Sequence, residues 1–222
     1  MTLLTPWEIE QTWGSHQPLL RGVLEVLRPL SAVECGCGDF STPLLRVHAS
    51  QVVTIEHDVR WGKKVRERFP ESPYHDWLLH PIPANNGTDP AAMPEDDLRL
   101  LQEFYSGLVK SLPPYGFLFV DTFRCARVPA ALALAPRTGL VLLHDVEPSS
   151  RDFYQYHLLD EMWKGWHRYE HRPEGRVART HALPWTALYS REPLPLEAMQ
   201  APIVRESMRL WGQEVRLERI DG

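Results

Sequence analysis

Residues 32–56 read AVECGCGDFSTPLLRVHASQVVTIE. Ala32-Val33-Glu34 is a short apolar run ending in an acid and reads as a buried strand. Gly36 and Gly38 interrupt it, Thr42 to Ala49 reads as a helix, and Gln51 to Glu56 is a β-branched run suited to a second strand. Upstream, Leu19 to Leu30 spaces its apolar residues like a helix and ends at Pro29. Downstream, Val59 to Phe69 is amphipathic and basic, Asp76 to Ile82 is strand-like, and Pro83 to Pro94 is a loop by its Pro, Asn and Gly content. Glu95 to Leu112 and Arg127 to Ala135 read as helices, each followed by an apolar strand or preceding one: GFLFVD at 116–121 and GLVLLHD at 139–145.

Strands that alternate with helices, and that are apolar along their whole length, belong to a parallel sheet covered on both faces. The expected class is α/β, doubly wound and mostly parallel. After Ser149 the pattern changes. Asp152 to Trp163 reads as one helix, and Trp166–Arg172 and Trp185–Ser190 read as an antiparallel hairpin around Pro173-Glu174-Gly175. The tail holds a helical stretch near Ala198 to Trp211 and the strand-like EVRLERI at 214–220. We read one domain over 1–222, with a helical segment at 1–29, the core at 30–190 and a C-terminal extension at 191–222.

Composition narrows the function classes. The net charge is −5, and 20 of the 24 basic residues are Arg. An acidic chain lacks the basic face of a general nucleic-acid backbone binder. No run of about 18 apolar residues is present to span a membrane, and the N-terminus has no basic region before an apolar core, so no signal peptide is read. Three cysteines at 35, 37 and 125 do not make a disulfide framework; Cys35 and Cys37 are small residues in a glycine loop. The expectation is a cytoplasmic protein with a small-molecule substrate, no nucleic-acid partner and no membrane. A second copy of the chain is a candidate partner through the N-terminal segment and the tail.

Four expected strands end in an acid: Glu34, Glu56, Asp121 and Asp145. In an open parallel sheet ligands bind beyond the carboxyl ends of the strands, so these carboxylates should gather along one rim. Each acid alone also suits a helix cap. The loop after Glu34 is G-x-G-x-x-S, with Ser41 where a dinucleotide fingerprint has its third glycine. Glu56 lies 22 residues after Glu34, about the spacing at which an acid takes a ribose diol. Loop and acid together point to a nucleoside-type ligand.

E-x-G-x-G, an acid ending the second strand, FLFVD and GLVLLHD, in that order, resemble the class I S-adenosylmethionine-dependent methyltransferases, and within them the small-molecule O-methyltransferase branch. The resemblance spans about residues 30–160 and extends to the hairpin at 166–190. It implies a Rossmann-like, seven-stranded sheet with a C-terminal antiparallel hairpin. It places Glu34, Gly36, Gly38 and Ser41 at the amino-acid part of the cofactor and Glu56 at the ribose hydroxyls. It places His57 or Asp58 near the adenine, and Asp121 beside the cofactor. Catechol-type members hold a divalent metal such as Mg²⁺ with residues matching Asp121 and Asp145, but Val146 stands where their Asn would be, and Val ligates nothing.

Methyl transfer to a hydroxyl needs alignment of donor and acceptor and removal of a proton. His144 is a candidate base, since its ordinary pKa of about 6.5 suits the task; Asp145 and Asp121 are candidate bases or metal ligands. Adjacent strand residues face opposite sides, so His144 and Asp145 are not expected to reach the acceptor together. Arg124, Arg127, Arg151 and Tyr154 are candidates for holding the acceptor. His167 and His171 share one strand face and read as surface residues. The rival readings are an NAD- or other nucleotide-binding Rossmann protein, and a noncatalytic module that binds S-adenosylmethionine without turnover.

Overall fold

A computed structural model describes residues 5–82, 88–177 and 181–220. Five strands run parallel: β1 (Ser31–Cys35), β2 (Gln51–Glu56), β3 (His75–Leu79), β4 (Phe117–Val120) and β5 (Leu140–His144). β6 (His167–His171) follows, then a separate small ribbon of β7 (Arg176–Val177) and β8 (His181–Ala182). β9 (Thr186–Ser190) lies antiparallel between β5 and β6, and β10 (Leu217–Ile220) lies antiparallel on β6. The order across the sheet is β3-β2-β1-β4-β5-β9-β6-β10. The strand order therefore reverses between β1 and β4, where such sheets bind ligands.

The doubly wound α/β expectation holds, with the antiparallel hairpin where the sequence placed it. The sheet has eight strands, not seven, because the tail adds β10 to the edge. β10 takes the edge position in place of β6, and its exposed Glu218 and Arg219 are the kind of charged residues that blunt an open edge.

The helices are α1 (Pro6–Trp13), α2 (Gln17–Gly22), α3 (Thr42–His48), α4 (Val59–Arg68), α5 (Glu95–Ser111), α6 (Arg127–Leu134), α7 (Pro148–Phe153), α8 (His157–Met162) and α9 (Leu196–Trp211). Alternation along the strands divides the core. Phe117, Phe119 and Leu142 face Leu19 and Leu20 of α2, Leu45 of α3, and Met199 and Ile203 of α9. Leu118, Val120 and Leu143 face Leu101 and Tyr105 of α5, Ala131 and Leu134 of α6, and Leu159 of α8. Each fully buried large side chain contributes about 1.5–3 kcal/mol. Asp58 starts α4 by accepting the N–H groups of Arg60 and Trp61 at 3.0 and 2.9 Å.

Two local expectations are corrected. The helix read over 152–163 is two short helices, broken where Gln155 takes φ +61°. Tyr154 and Tyr156 are both buried; in a continuous helix residues two apart lie about 200° apart and could not share one face. His171 is fully buried rather than a surface residue, with Nε2 2.9 Å from Ser207 Oγ, because α9 covers that face of β6. Of the loop expected at Pro83–Pro94, residues 83–87 lie outside the described residues. No described helix is long and apolar enough to cross a membrane.

Candidate functional site

The glycine loop leaves β1 at the point of strand-order reversal. Gly36 has φ +90°, and a Cβ there would lie 2.1 Å from the Asp121 carbonyl oxygen. Only glycine tolerates both that conformation and that approach. The ladder continues beneath it: Gly36 donates its N–H to Ile55 O at 2.8 Å, and Asp121 donates to Cys35 O at 2.8 Å.

Glu56 binds the loop. Its Oε2 accepts the Cys37 N–H at 2.9 Å and its Oε1 accepts the Asp58 N–H at 2.7 Å. Burial pushes the Glu56 carboxyl up, against the pull of the Cys37, Asp58 and His57 N–H groups and the Cys37 thiol. Trp61 closes the loop's outer side, its Nε1 donating to Cys37 O at 2.8 Å. Burial also pushes up the thiols of Cys35 and Cys37, which are neutral filling.

Glu34 and His57 do not stand where the resemblance puts them. Glu34 is fully buried behind the loop, where its carboxyl accepts the hydroxyls of Thr42 at 2.9 Å and Thr54 at 2.8 Å. Thr42 in turn accepts the Gly38 N–H at 3.1 Å. Glu34 thus pins the loop and the start of α3 to the sheet without touching what the loop would hold. Ser41 is buried in the same corner and hydrogen-bonds Glu34. Burial raises the Glu34 pKa to about 7. His57 spends both ring nitrogens internally, on His80 O and Tyr105 Oη, each at 2.7 Å, and burial lowers its pKa to about 4.

At the ends of β4 and β5 a second cluster forms. Arg127 of α6 is buried with Nη2 2.7 Å from Asp121 Oδ1 and 2.9 Å from Asp145 Oδ2. It also donates Nη1 to His144 O at 2.9 Å and Nε to Thr122 O at 3.0 Å. His144 Nδ1 lies 3.1 Å from Asp121 Oδ2 and 3.6 Å from Asp145 Oδ1. The expectation that His144 and Asp145 diverge is therefore corrected. Asp145 lies one residue past β5 with φ +56°, and that left-handed turn brings its carboxylate back beside the histidine. Burial alone would lower the His144 pKa, but Asp145 and Asp121 outweigh it and raise it to about 8. Asp121 is held below the usual carboxylate range, since His144 and Arg127 outweigh its burial.

This geometry corrects two candidate roles. Both His144 nitrogens are engaged, Nδ1 by Asp121 and Nε2 by Ser15, and the two neighbouring carboxylates favour its protonated form, which argues against a free base. Nor does the catechol-type cation site fit, because the Arg127 guanidinium already bridges Asp121 and Asp145, and Val146 is buried in the core. Arg151 turns away to pair with Asp160 and Tyr189. Arg124 and Tyr154 do line one cleft of about 340 Å³ together with Leu98, Leu132 and Leu158. The Tyr154 ring lies 4.6 Å from the Arg127 guanidinium carbon, and its hydroxyl is 3.5 Å from Asp145 Oδ2.

Ser15 and His16 join this cluster from the N-terminal segment, and sequence reasoning missed both. Ser15 Oγ is 2.7 Å from His144 Nε2, across 129 residues of chain. His16 stands edge-on to His144, ring centroids 5.0 Å apart. Nothing in the segment WGSHQP distinguishes these residues from a helix boundary.

The N-methyltransferase NodS from Bradyrhizobium japonicum WM9, in complex with S-adenosyl-L-homocysteine, aligns over 85% of this chain and 92% of its own with a TM-score of 0.54 at 12% identity. The chain has the Rossmann-like methyltransferase fold. An rRNA methylase from Streptococcus thermophilus aligns over 79% of this chain and 95% of its own (TM-score 0.52, 10% identity). Spermidine synthase from Thermotoga maritima aligns over 89% and 65% respectively (TM-score 0.52, 11% identity). No protein-family model and no curated protein matches the sequence. Proteins named for three different activities share the methyltransferase fold, so function has to be argued from the site.

Proposed function

We propose that the chain is an S-adenosylmethionine-dependent methyltransferase acting on an oxygen of a small-molecule acceptor. The observation that carries this reading is the meeting of three strand ends at the β1–β4 reversal. Glu56 ends β2 on the Cys37 N–H, while Gly36 lies against the backbone of Asp121 beyond β4. The Gly36–Gly38 loop would hold the amino-acid part of the cofactor and Glu56 the ribose diol. When bound, S-adenosylmethionine supplies an electrophilic methyl group on a sulfonium.

The acceptor belongs in the cleft lined by Arg124, Tyr154, Leu98 and Leu132. That mixture of one guanidinium, one phenol and aliphatic walls suits a small amphipathic molecule bearing an anionic group. The net charge of −5 favours it over a polyanion. Asp121 and Asp145 keep 22% and 19% of their side chains accessible against 5% for His144, and Asp145 lies beside the cleft-lining Tyr154, so the carboxylates are the more accessible groups. Asp145 takes the acceptor's proton. His144 and Arg127 hold the charge and orientation of both carboxylates.

Calorimetric titration with S-adenosylhomocysteine, with NAD⁺ as control, tests the reading. Micromolar, saturable binding of the former alone is expected. No binding, or preference for NAD⁺, overturns it in favour of another nucleotide. Glu56→Ala should weaken the affinity several-fold; an unchanged affinity would remove Glu56 from the ribose.

A further inference from the structure

His16 is buried, and neither ring nitrogen has a hydrogen-bond partner among the described residues. Trp77, Thr122, His171 and Thr186 each leave one buried polar atom unpaired, but His16 alone among the described residues leaves two. A buried imidazole with an unmet donor and an unmet acceptor carries the desolvation penalty of both, so it asks for a ligand.

Its surroundings specify which ligand. Single donor atoms from His16, Asp121 and His144 all lie within 4.8 Å of one another. His144 Nδ1 is 3.1 Å and His16 Nδ1 is 3.9 Å from Asp121 Oδ2. The second distance is too long for a hydrogen bond. It does suit two donors on one ion, because bonds of about 2.0–2.2 Å place ligand atoms up to ~4.2 Å apart. The outer shell is present as well. Ser15 Oγ sits 2.7 Å from His144 Nε2 and fixes the ring, while Arg127 occupies Asp121 Oδ1 and Oδ2 is turned toward both imidazoles.

We propose that His16, Asp121 and His144 bind a divalent first-row transition ion of the Zn²⁺, Fe²⁺ or Co²⁺ type. Two imidazoles and one carboxylate select such ions over Mg²⁺, which prefers oxygen alone. Binding replaces the proton on His144 Nδ1 with the metal and releases it to solvent. Three protein ligands leave positions open for water or another oxygen ligand. This site shares Asp121, but not Asp145, with the pair that the guanidinium bridges, and it does not depend on the methyltransferase reading.

Chelator-treated protein titrated with Co²⁺ should show saturable one-to-one binding with visible ligand-field absorption, and Mg²⁺ should neither produce nor displace it. Removing an outer-shell partner typically weakens binding ~10–100-fold, so Ser15→Ala should fall in that range and His16→Gln should exceed it. His157→Ala, an exposed control, should bind as the native chain does. X-ray absorption of the native chain loaded with Zn²⁺ should show two imidazole nitrogens, which tests the site even if His16→Gln fails to fold. Oxygen-only ligation, absent Co²⁺ binding, or binding unchanged in His16→Gln overturns the proposal. Loss of S-adenosylhomocysteine affinity in His16→Gln without any Co²⁺ binding by the native chain also overturns it and assigns the bare nitrogens to the organic cofactor.

Discussion

Glu34 braces the glycine loop from behind, through Thr42 and Thr54, rather than lining its open side. The sequence places it correctly at the end of a buried strand before a glycine loop. Its orientation depends on Thr42 and Thr54, which take its oxygens behind the loop. A buried carboxyl with a raised pKa favours the protonated fold. Its contribution is present below the unfolded value and is lost as pH rises through about 7. Native stability should therefore fall between about pH 4.5 and 7 more steeply than that of Glu34→Gln, by roughly 3 kcal/mol. Urea unfolding at a series of pH values measures the difference, and parallel curves would contradict the assignment. Arg127 makes the opposite case. Arg127→Met leaves Asp121 and Asp145 without their shared cation and should destabilise the fold by about 3–5 kcal/mol, read as a lower urea midpoint. Arg127 was legible only as a rim arginine, because nothing in a one-dimensional spacing says that two strand ends will converge on it.

At the scale of elements, the parallel strands were legible because their apolar runs are uninterrupted. FLFV at 117–120 faces helices on both sides, and all four residues are buried. The edge strand was less so. LERI pairs with β6 along its whole length, but only Leu217 is buried while Glu218 and Arg219 are exposed, so its pattern carries little hydrophobic signal. What fixes β10 from the other side is a side chain. Gln200 of α9 donates Nε2 to Leu217 O at 2.8 Å and accepts the Leu217 N–H at 3.0 Å, imitating a neighbouring strand. Gln200→Ala removes two hydrogen bonds of about 1 kcal/mol each. The expected result is faster amide exchange across 217–220 with little change in β1, β4 or β5; uniform acceleration would mean that β10 and the core open as one unit. The break between α7 and α8 was illegible for a related reason. Two tyrosines two residues apart are both buried only because Arg127 and the end of β5 receive them.

For the whole molecule, the expectation is set by linkage. A ligand that binds only the folded chain at a hundred times its dissociation constant stabilises by about 2.7 kcal/mol. In a chain of 222 residues that corresponds to a Tm increase of ~5–10 °C. S-adenosylhomocysteine should produce this shift and NAD⁺ should not; a flat response to both would detach the glycine loop from nucleosides altogether. The N-terminal segment takes part in this behaviour. It covers the ends of β4 and β5 through Ser15 and His16, and its α2 packs against α9 from the far end of the chain.

The sequence by itself determined the class of fold and the position of the rim. Apolar strand runs, glycine punctuation and strand-end acids are local consequences of burial and backbone freedom, and they survive reading in one dimension. The tertiary structure alone decided which acids brace the loop from behind, that a guanidinium stands between the two acids where the resemblance would put a cation, and that Ser15 and His16 meet a histidine 129 and 128 positions away. Those outcomes depend on charges and hydrogen-bond donors converging from distant elements, where distances of about 3 Å decide the chemistry and no spacing along the chain encodes them.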